Sequence, residues 1–163
     1  TDVSTPSRCS SDGGSQMITY REASVLDIPV LVSLDRKYFP HTAWPTEQFR
    51  AEIGKPTRYF LIGESSEEII AYAGAFLPNA GGEGDIMTIA VAPEYRRKGI
   101  AKELIARLES WAKARGAIAM MLEVDVSNKE AIALYTSLGY ESLNIRKNYY
   151  GYGRDAQIMR RGL

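Results

Sequence analysis

The chain reads as a single α/β domain, with a mixed, mainly antiparallel twisted sheet flanked by helices. Three stretches carry that reading. Arg58 to Gly63 and Ile69 to Leu77 are short apolar segments separated by the polar run Glu64-Ser65-Ser66-Glu67-Glu68, the pattern of a hairpin with a solvated tip. Ile86 to Gly116 reads as a strand, a proline stop, a basic turn and a helix. Ile118 to Val126 then supplies another strand, so these two strands and the helix between them are predicted to form a parallel pair with a right-handed crossover.

Taken from its start, the chain opens on Ser-, Gly- and Thr-rich residues 1–16, which lack periodicity and read as a flexible leader or a cloning remnant. The domain is expected over 17–163. Met17 to Glu22 alternate as a first strand, and Ser24 caps a helix carrying Leu26, Val30, Leu31 and Leu34. A loop from Tyr38 to Pro45 follows, with three aromatics and two prolines, including Tyr38, Phe39 and Trp44. It suits either a binding loop or a satellite core. A second helix is predicted from Thr46 to about Ile53, with Phe49 and Ile53 facing inward.

Asn79 to Gly84 is a flexible turn into the central strand. There Met87, Ile89 and Val91 fall at period two within an apolar run, which predicts a strand buried on both faces. After Pro93 come Arg96-Arg97-Lys98-Gly99-Ile100-Ala101, and the helix that follows places Ile100, Leu104, Leu108 and Trp111 on one face. The first N–H groups of a helix lack intrahelical partners, and its dipole is positive there. Basic residues at that end are unfavourable unless an anion joins them, and Gly99 lets a bulky anion approach the backbone. The turn therefore reads as a pyrophosphate cradle. Farther on, Ser127 and Glu130 form a capping box for a helix with Ala131, Leu134, Tyr135 and Leu138 on one face, ended by Gly139. Two strands, near Tyr140 to Arg146 and Asp155 to Arg161, close the chain as an antiparallel hairpin.

Composition bounds the function. The chain has 163 residues, 45% of them hydrophobic, enough for a full core. Twenty basic and twenty acidic side chains give a net charge of zero, which argues against a general nucleic-acid binder. The single cysteine, Cys9, has no internal disulfide partner; with no apolar run fit to span a membrane and no signal peptide, the expected location is the cytoplasm. The single histidine, His41, sits in the aromatic loop, so Ser-His-Asp and Cys-His chemistry is disfavoured, and no metal-ligand spacing appears.

The segment Arg96-Arg97-Lys98-Gly99-Ile100-Ala101, after Val91-Ala92-Pro93, resembles the acetyl-CoA signature of the GNAT acetyltransferase superfamily. Leu122-Glu123-Val124, Asn128, Ala133-Leu134-Tyr135 and Asn148-Tyr149-Tyr150 are similar in kind and spacing to the RimI-like N-terminal acetyltransferases. Ala101 departs from the glycine common at its position. The resemblance implies a seven-stranded sheet with about four helices, and acetyl transfer from acetyl-CoA to a protein N-terminal amine, the target being a ribosomal protein starting with alanine. From charge, spacing and the lack of a long apolar run, no metal, nucleic acid or membrane partner is expected; the oligomeric state is left open, a monomer being compatible. Ile89, Ala90 and Val91 would meet the pantetheine and acetyl groups. Arg97, Lys98, Gly99, Ile100, Ala101 and Lys102 would wrap the pyrophosphate, and Asn128 would contact the CoA arm. Glu123 would act as base and Tyr135 as acid. Tyr149, with Tyr38, Phe39 and Trp44, would hold the peptide. Alternation leaves either face of the strand open to Glu123, and a carboxylate in so apolar a run is expected to have a raised pKa. The alternatives are a lysine side chain or a small-molecule amine as acceptor, or a non-catalytic acyl-CoA-binding module.

Overall fold

The computed structural model describes residues 17–163, so the leader expected over 1–16 lies outside the described residues. Seven strands form one sheet: β1 (Thr19–Glu22), β2 (Arg58–Ser65), β3 (Glu68–Phe76), β4 (Glu83–Val91), β5 (Ala119–Asp125), β6 (Glu141–Arg146) and β7 (Ala156–Gly162). Their spatial order is β1-β2-β3-β4-β5-β7-β6. Every neighbouring pair is antiparallel except β4 and β5. The helices are α1 (Ile28–Tyr38), α2 (Thr46–Glu52), α3 (Ile100–Ala114) and α4 (Lys129–Ser137).

Alternation along the central strands separates two cores. Leu61, Ala71, Ala73 and Met120 pack with Leu104 and Leu108 of α3 and Tyr135 of α4 on one face. Phe60, Ile62 and Tyr72 pack with Leu31 of α1 and Phe49 of α2 on the other. The β2–β3 turn places Ser66 and Glu67 at φ 51° and 65°, the left-handed conformation a tight two-residue hairpin needs.

The first helix departs from its expected register. Ser24 does form a capping box, but with Asp27, around a short 3₁₀ turn at Val25–Asp27. The buried stripe of α1 is Ile28, Leu31, Val32 and Asp35, whereas Leu26 and Val30 are exposed. Likewise the cap of α4 is Asn128, whose side chain accepts the Ala131 N–H at 3.1 Å. Ser127, expected as that cap, instead turns back to Asp125, donating its hydroxyl at 2.7 Å.

The feature that positions the site is a parting of β4 from β5. They pair only over Glu83–Asp85 and Ala119–Met121. Beyond that, β4 keeps β3 as neighbour and β5 keeps β7, so the two strands open like a V. At the apex a Cβ on Gly84 would stand 2.6 Å from Met120 Sδ, so any larger residue would force the buried Met120 side chain to shift. A bulge follows at once: Gly74 faces Thr88 while Ala75 faces Ile86, leaving Met87 as the extra residue. The central strand is therefore not buried on both faces as expected. Ile86 and Ala90 are buried, but Ile89 and Val91 are half-exposed at the opening.

Candidate active site

Two cavities flank the V. The first, of 390 Å³, lies between the end of β4, the basic turn and α4. The second, of 650 Å³, lies between the α1–α2 loop, the two parted strands and the β6–β7 connection. Both are lined by Phe39, Ile89, Asn128, Ala131 and Tyr135, so they meet at the opening.

The first cavity is suited to a long polyanion. Arg97 and Gly99 both adopt left-handed backbone, φ 61° and 79°. A Cβ on Gly99 would meet nothing within 4 Å, because that side of the turn is open space. Gly99 is also the cap of α3 and offers no side-chain acceptor, which leaves the first N–H groups of the helix without intrahelical partners. Arg96, Arg97 and Lys102 line the same cavity. Helix N-terminus, bent glycine turn and three cations make one anion site.

The β4 backbone completes the wall. Ala92 donates its N–H to the Ile70 carbonyl at 2.8 Å. Alternation of an antiparallel ladder then turns the amides of Ala90 and Thr88 toward β3, and those of Val91 and Ile89 toward the opening. Strand β4 thus presents backbone polar groups to the opening.

Of the residues expected at the cofactor, Ile89, Ala90, Val91, Arg97, Gly99, Ile100, Ala101, Lys102 and Asn128 line this first cavity. Lys98 does not. Its ammonium lies 5.4 Å from the centre of the Tyr95 ring, on the far side of the turn. Tyr38, expected at the peptide, also lies on this side and not in the second cavity. Arg96, read in the sequence as one of the basic residues of the cradle, lines the cavity too, and its Nε donates to the Val91 carbonyl at 3.3 Å.

The second cavity is acidic. Phe39, Trp44, Glu123, Tyr135 and Tyr149 line it together. Trp44 is held against Phe49, ring centres 5.3 Å apart, and its backbone N–H donates to the buried Asp35 carboxylate at 2.7 Å. Tyr72 donates its hydroxyl to the same carboxylate, and burial pushes the Tyr72 pKa far up. The aromatic loop is therefore both a wall of the cavity and part of the second core.

Glu123 takes the exposed face of β5, of the two that alternation left open. Met120, Leu122 and Val124 take the inward positions of β5, and the odd-numbered residues between them face the other way. Its carboxylate pairs with Arg146 at 3.2 Å and accepts the Tyr149 hydroxyl, an acceptance that raises the Tyr149 pKa. Tyr135 reaches the opening from α4 on the opposite face. Burial pushes its pKa up to about 12, so it holds its proton throughout the neutral range.

One carboxylate in this cavity went unnoticed in the sequence. Asp85 stands at the last paired position of β4, opposite Met121, and shares the face of the sheet that carries Glu123. Burial raises its pKa, and the neighbouring charges of Glu123 and then Glu83 raise it further. The remaining acids of the cavity are engaged: Asp125 pairs with Arg154 at 3.1 Å. Among the described residues, no group of three or more His, Cys, Asp or Glu side chains is arranged to hold a metal ion.

The profile of the Acetyltransferase (GNAT) family matches residues 28–140. An N-alpha-acetyltransferase of Saccharolobus solfataricus is 33% identical over 156 residues, covering 89% of this chain and 93% of that protein. The [ribosomal protein bS18]-alanine N-acetyltransferase of Salmonella typhimurium is 32% identical over 136 residues, covering 82% and 88%. Among solved structures, the ribosomal-protein-S18-alanine N-acetyltransferase of Escherichia coli superimposes with a TM-score of 0.78 at 28% identity, covering 90% of this chain and 94% of that one.

Proposed function

The chain belongs to the GNAT acetyltransferase family and is an N-acetyltransferase, and from that premise we propose that it moves the acetyl group of acetyl-CoA to the N-terminal amine of a protein. The observation that carries the reading is the meeting of the two cavities at the V. One is built for a polyanion and the other for a cation, and both are lined by Tyr135. Two relatives that the chain matches over most of its length are an N-alpha-acetyltransferase and a [ribosomal protein bS18]-alanine N-acetyltransferase, and a ribosomal protein starting with alanine as target is part of the proposal.

Acetyl-CoA supplies an activated acyl group, and its phosphates would be held by the Arg97–Lys102 turn. The residues of this chain do the rest. The opening-facing amides of Ile89 and Val91 polarise the acyl carbonyl and stabilise the negative charge that grows on its oxygen. The acidic second cavity draws in the acceptor as its ammonium form, and a carboxylate there takes the proton that the amine must lose before it attacks. An N-terminal amine, with a reference pKa of about 7.7–8.0, gives up that proton far more readily than a lysine at about 10.4. Tyr135, kept neutral by burial, donates to the departing sulfur, and the second proton that the nitrogen sheds as the amide forms restores it through solvent. With both partners aligned across the V, the amine attacks directly and no acyl-enzyme is needed.

The test is product mass. The protein is incubated with acetyl-CoA and a mixed peptide set, half with free N-termini and varied first residues, half blocked with internal lysines. Gain of one acetyl on free N-termini supports the reading and ranks first residues. Acetylation of lysines alone would overturn it.

A further inference from the structure

Resting on the reading of Tyr135 as the acid, we propose that Tyr140 is its positioning residue: it holds the Tyr135 ring at the opening, and a buried ion pair fixes Tyr140 from behind.

The need for such a residue follows from α4 itself. The helix has nine residues, and Tyr135 is the one buried residue among them. So short an element has few anchors of its own. The direction of the Tyr135 hydroxyl therefore depends on what packs against its ring.

Tyr140 makes that contact twice. Its N–H donates to the Tyr135 carbonyl at 3.0 Å. Its ring meets the Tyr135 ring edge to face, centres 6.1 Å apart and planes at 64°. Gly139 makes this return possible, since its φ of 95° turns the chain back against the end of the helix.

The far side of Tyr140 is fixed as well. Glu109 of α3 is buried, and its carboxylate accepts from Arg161 of β7 at 2.6 Å. Arg161 lies across the turn, because a Cβ on Gly139 would stand 3.4 Å from its Nε. One ion pair thus ties α3 and β7 to the turn between Tyr135 and Tyr140. Its charges reach the Tyr140 ring: burial, and next the Glu109 carboxylate, push the Tyr140 pKa far up.

The hydroxyl of Tyr140 has no part in this hold. Tyr140 is 2% exposed, and its hydroxyl is the one buried side-chain polar atom among the described residues without a hydrogen-bond partner. An unbonded buried hydroxyl costs stability. What Tyr135 uses is the ring and the backbone of Tyr140, so phenylalanine serves as a control that keeps both.

The experiment is a double-mutant cycle. It compares kcat and KM for a free-N-terminus peptide in the wild type, Tyr140→Leu, Tyr140→Phe, Tyr135→Phe and the Tyr135→Phe/Tyr140→Leu pair, with acetyl-CoA affinity and thermal melts as fold controls. Tyr140→Leu keeps an apolar side chain but loses the ring edge. It is expected to lower kcat about tenfold with KM and acetyl-CoA affinity within about twofold, since a misplacement of about 1 Å costs up to about 100-fold. Tyr140→Phe is expected to keep the wild-type kcat and to melt no lower than the wild type. In the Tyr135→Phe background Tyr140→Leu is expected to cost nothing further, because the group it positions is gone.

The same tenfold loss in both backgrounds would make Tyr140 merely structural and overturn the proposal. Loss of kcat in Tyr140→Phe would overturn it too, by giving the role to the hydroxyl. If Tyr140→Leu fails to fold, Arg161→Lys takes its place, keeping the charge opposite Glu109 but losing the planar group across Gly139. Its expected loss is about threefold in kcat, absent in the Tyr135→Phe background, and any other pattern overturns the proposal. A wild-type rate in Tyr135→Phe alone would sink the acid reading and the proposal with it. If the acceptor proves to be a lysine or a small amine, the N-terminal reading fails, and the same cycle run with that amine judges Tyr140 separately.

Discussion

The buried carboxylate of Asp35 accepts the backbone N–H of Trp44 at 2.7 Å, and so one bond ties α1 to the loop that walls the second cavity. Tyr72 of β3 donates to the same group, which fastens both to the sheet. Removing the carboxylate strands two buried donors. Asp35→Ala is expected to cost about 3 kcal/mol of stability, since each unsatisfied group costs about 1–3 kcal/mol. Asp35→Asn, whose amide oxygen still accepts from Trp44, is expected to lose less than half of that. Denaturant melts measure both, and the alanine variant should also raise the KM for the acceptor while leaving acetyl-CoA affinity close to normal.

Gly99 is expected to tolerate no side chain without loss. Its φ of 79° penalises any L-residue, and the added Cβ would project into the open side of the anion turn. Gly99→Ala should destabilise by about 1–2 kcal/mol. A comparable loss from the contact with phosphates corresponds to about tenfold weaker acetyl-CoA binding. Titration calorimetry checks the affinity, and an unchanged Kd would place the phosphates elsewhere.

Tyr135 stays protonated to about pH 12 because it is buried, so no limb of the rate profile between about pH 6 and 10 belongs to it. Tyr135→Phe is expected to lower kcat by about 100-fold, in the range for a single acid. The shape of the profile should be unchanged. A variant that altered the profile and spared the rate would show that Tyr135 only packs against Tyr140.

The Asp27 carboxylate is held below its usual range, first by its hydrogen bond from Arg21 and further by the Ser24 backbone and hydroxyl. A depressed folded-state pKa means that this group stabilises the fold above its unfolded pKa of about 3.9. That contribution disappears as pH falls through the lower, folded value. Asp27→Asn is therefore expected to melt below the wild type at pH 6, and the gap should close as the acid limit is approached. Thermal melts from pH 2.5 to 7 measure this.

Much of this architecture is legible in the residues, and the exceptions have physical causes. Period-two and helical spacing mark the strands and helices because most of them bury one face. The α1 stripe is obscured because one of its four inward seats holds Asp35, a carboxylate where pattern reading looks for a hydrocarbon. The basic turn announces an anion site, but not which cation turns away. The direction of Lys98 is set by the left-handed residues on either side of it, Arg97 and Gly99. Glu123 stands out by its motif, whereas its exposure depends on which face of β5 is turned inward, and alternation alone is silent on that. Asp85 is hidden for a related reason. One acid in a Gly-rich approach to a strand looks like a turn residue, and only the pairing of β4 with β5 sets it beside Glu123.

The central claim is that the V holds both substrates at once and that the amine attacks without an acyl-enzyme. Initial rates over a grid of acetyl-CoA and peptide concentrations test this most directly. The account predicts double-reciprocal lines that intersect, and protein of unchanged mass after incubation with acetyl-CoA alone. Parallel lines, with a protein that gains one acetyl group and passes it to the peptide, would contradict it.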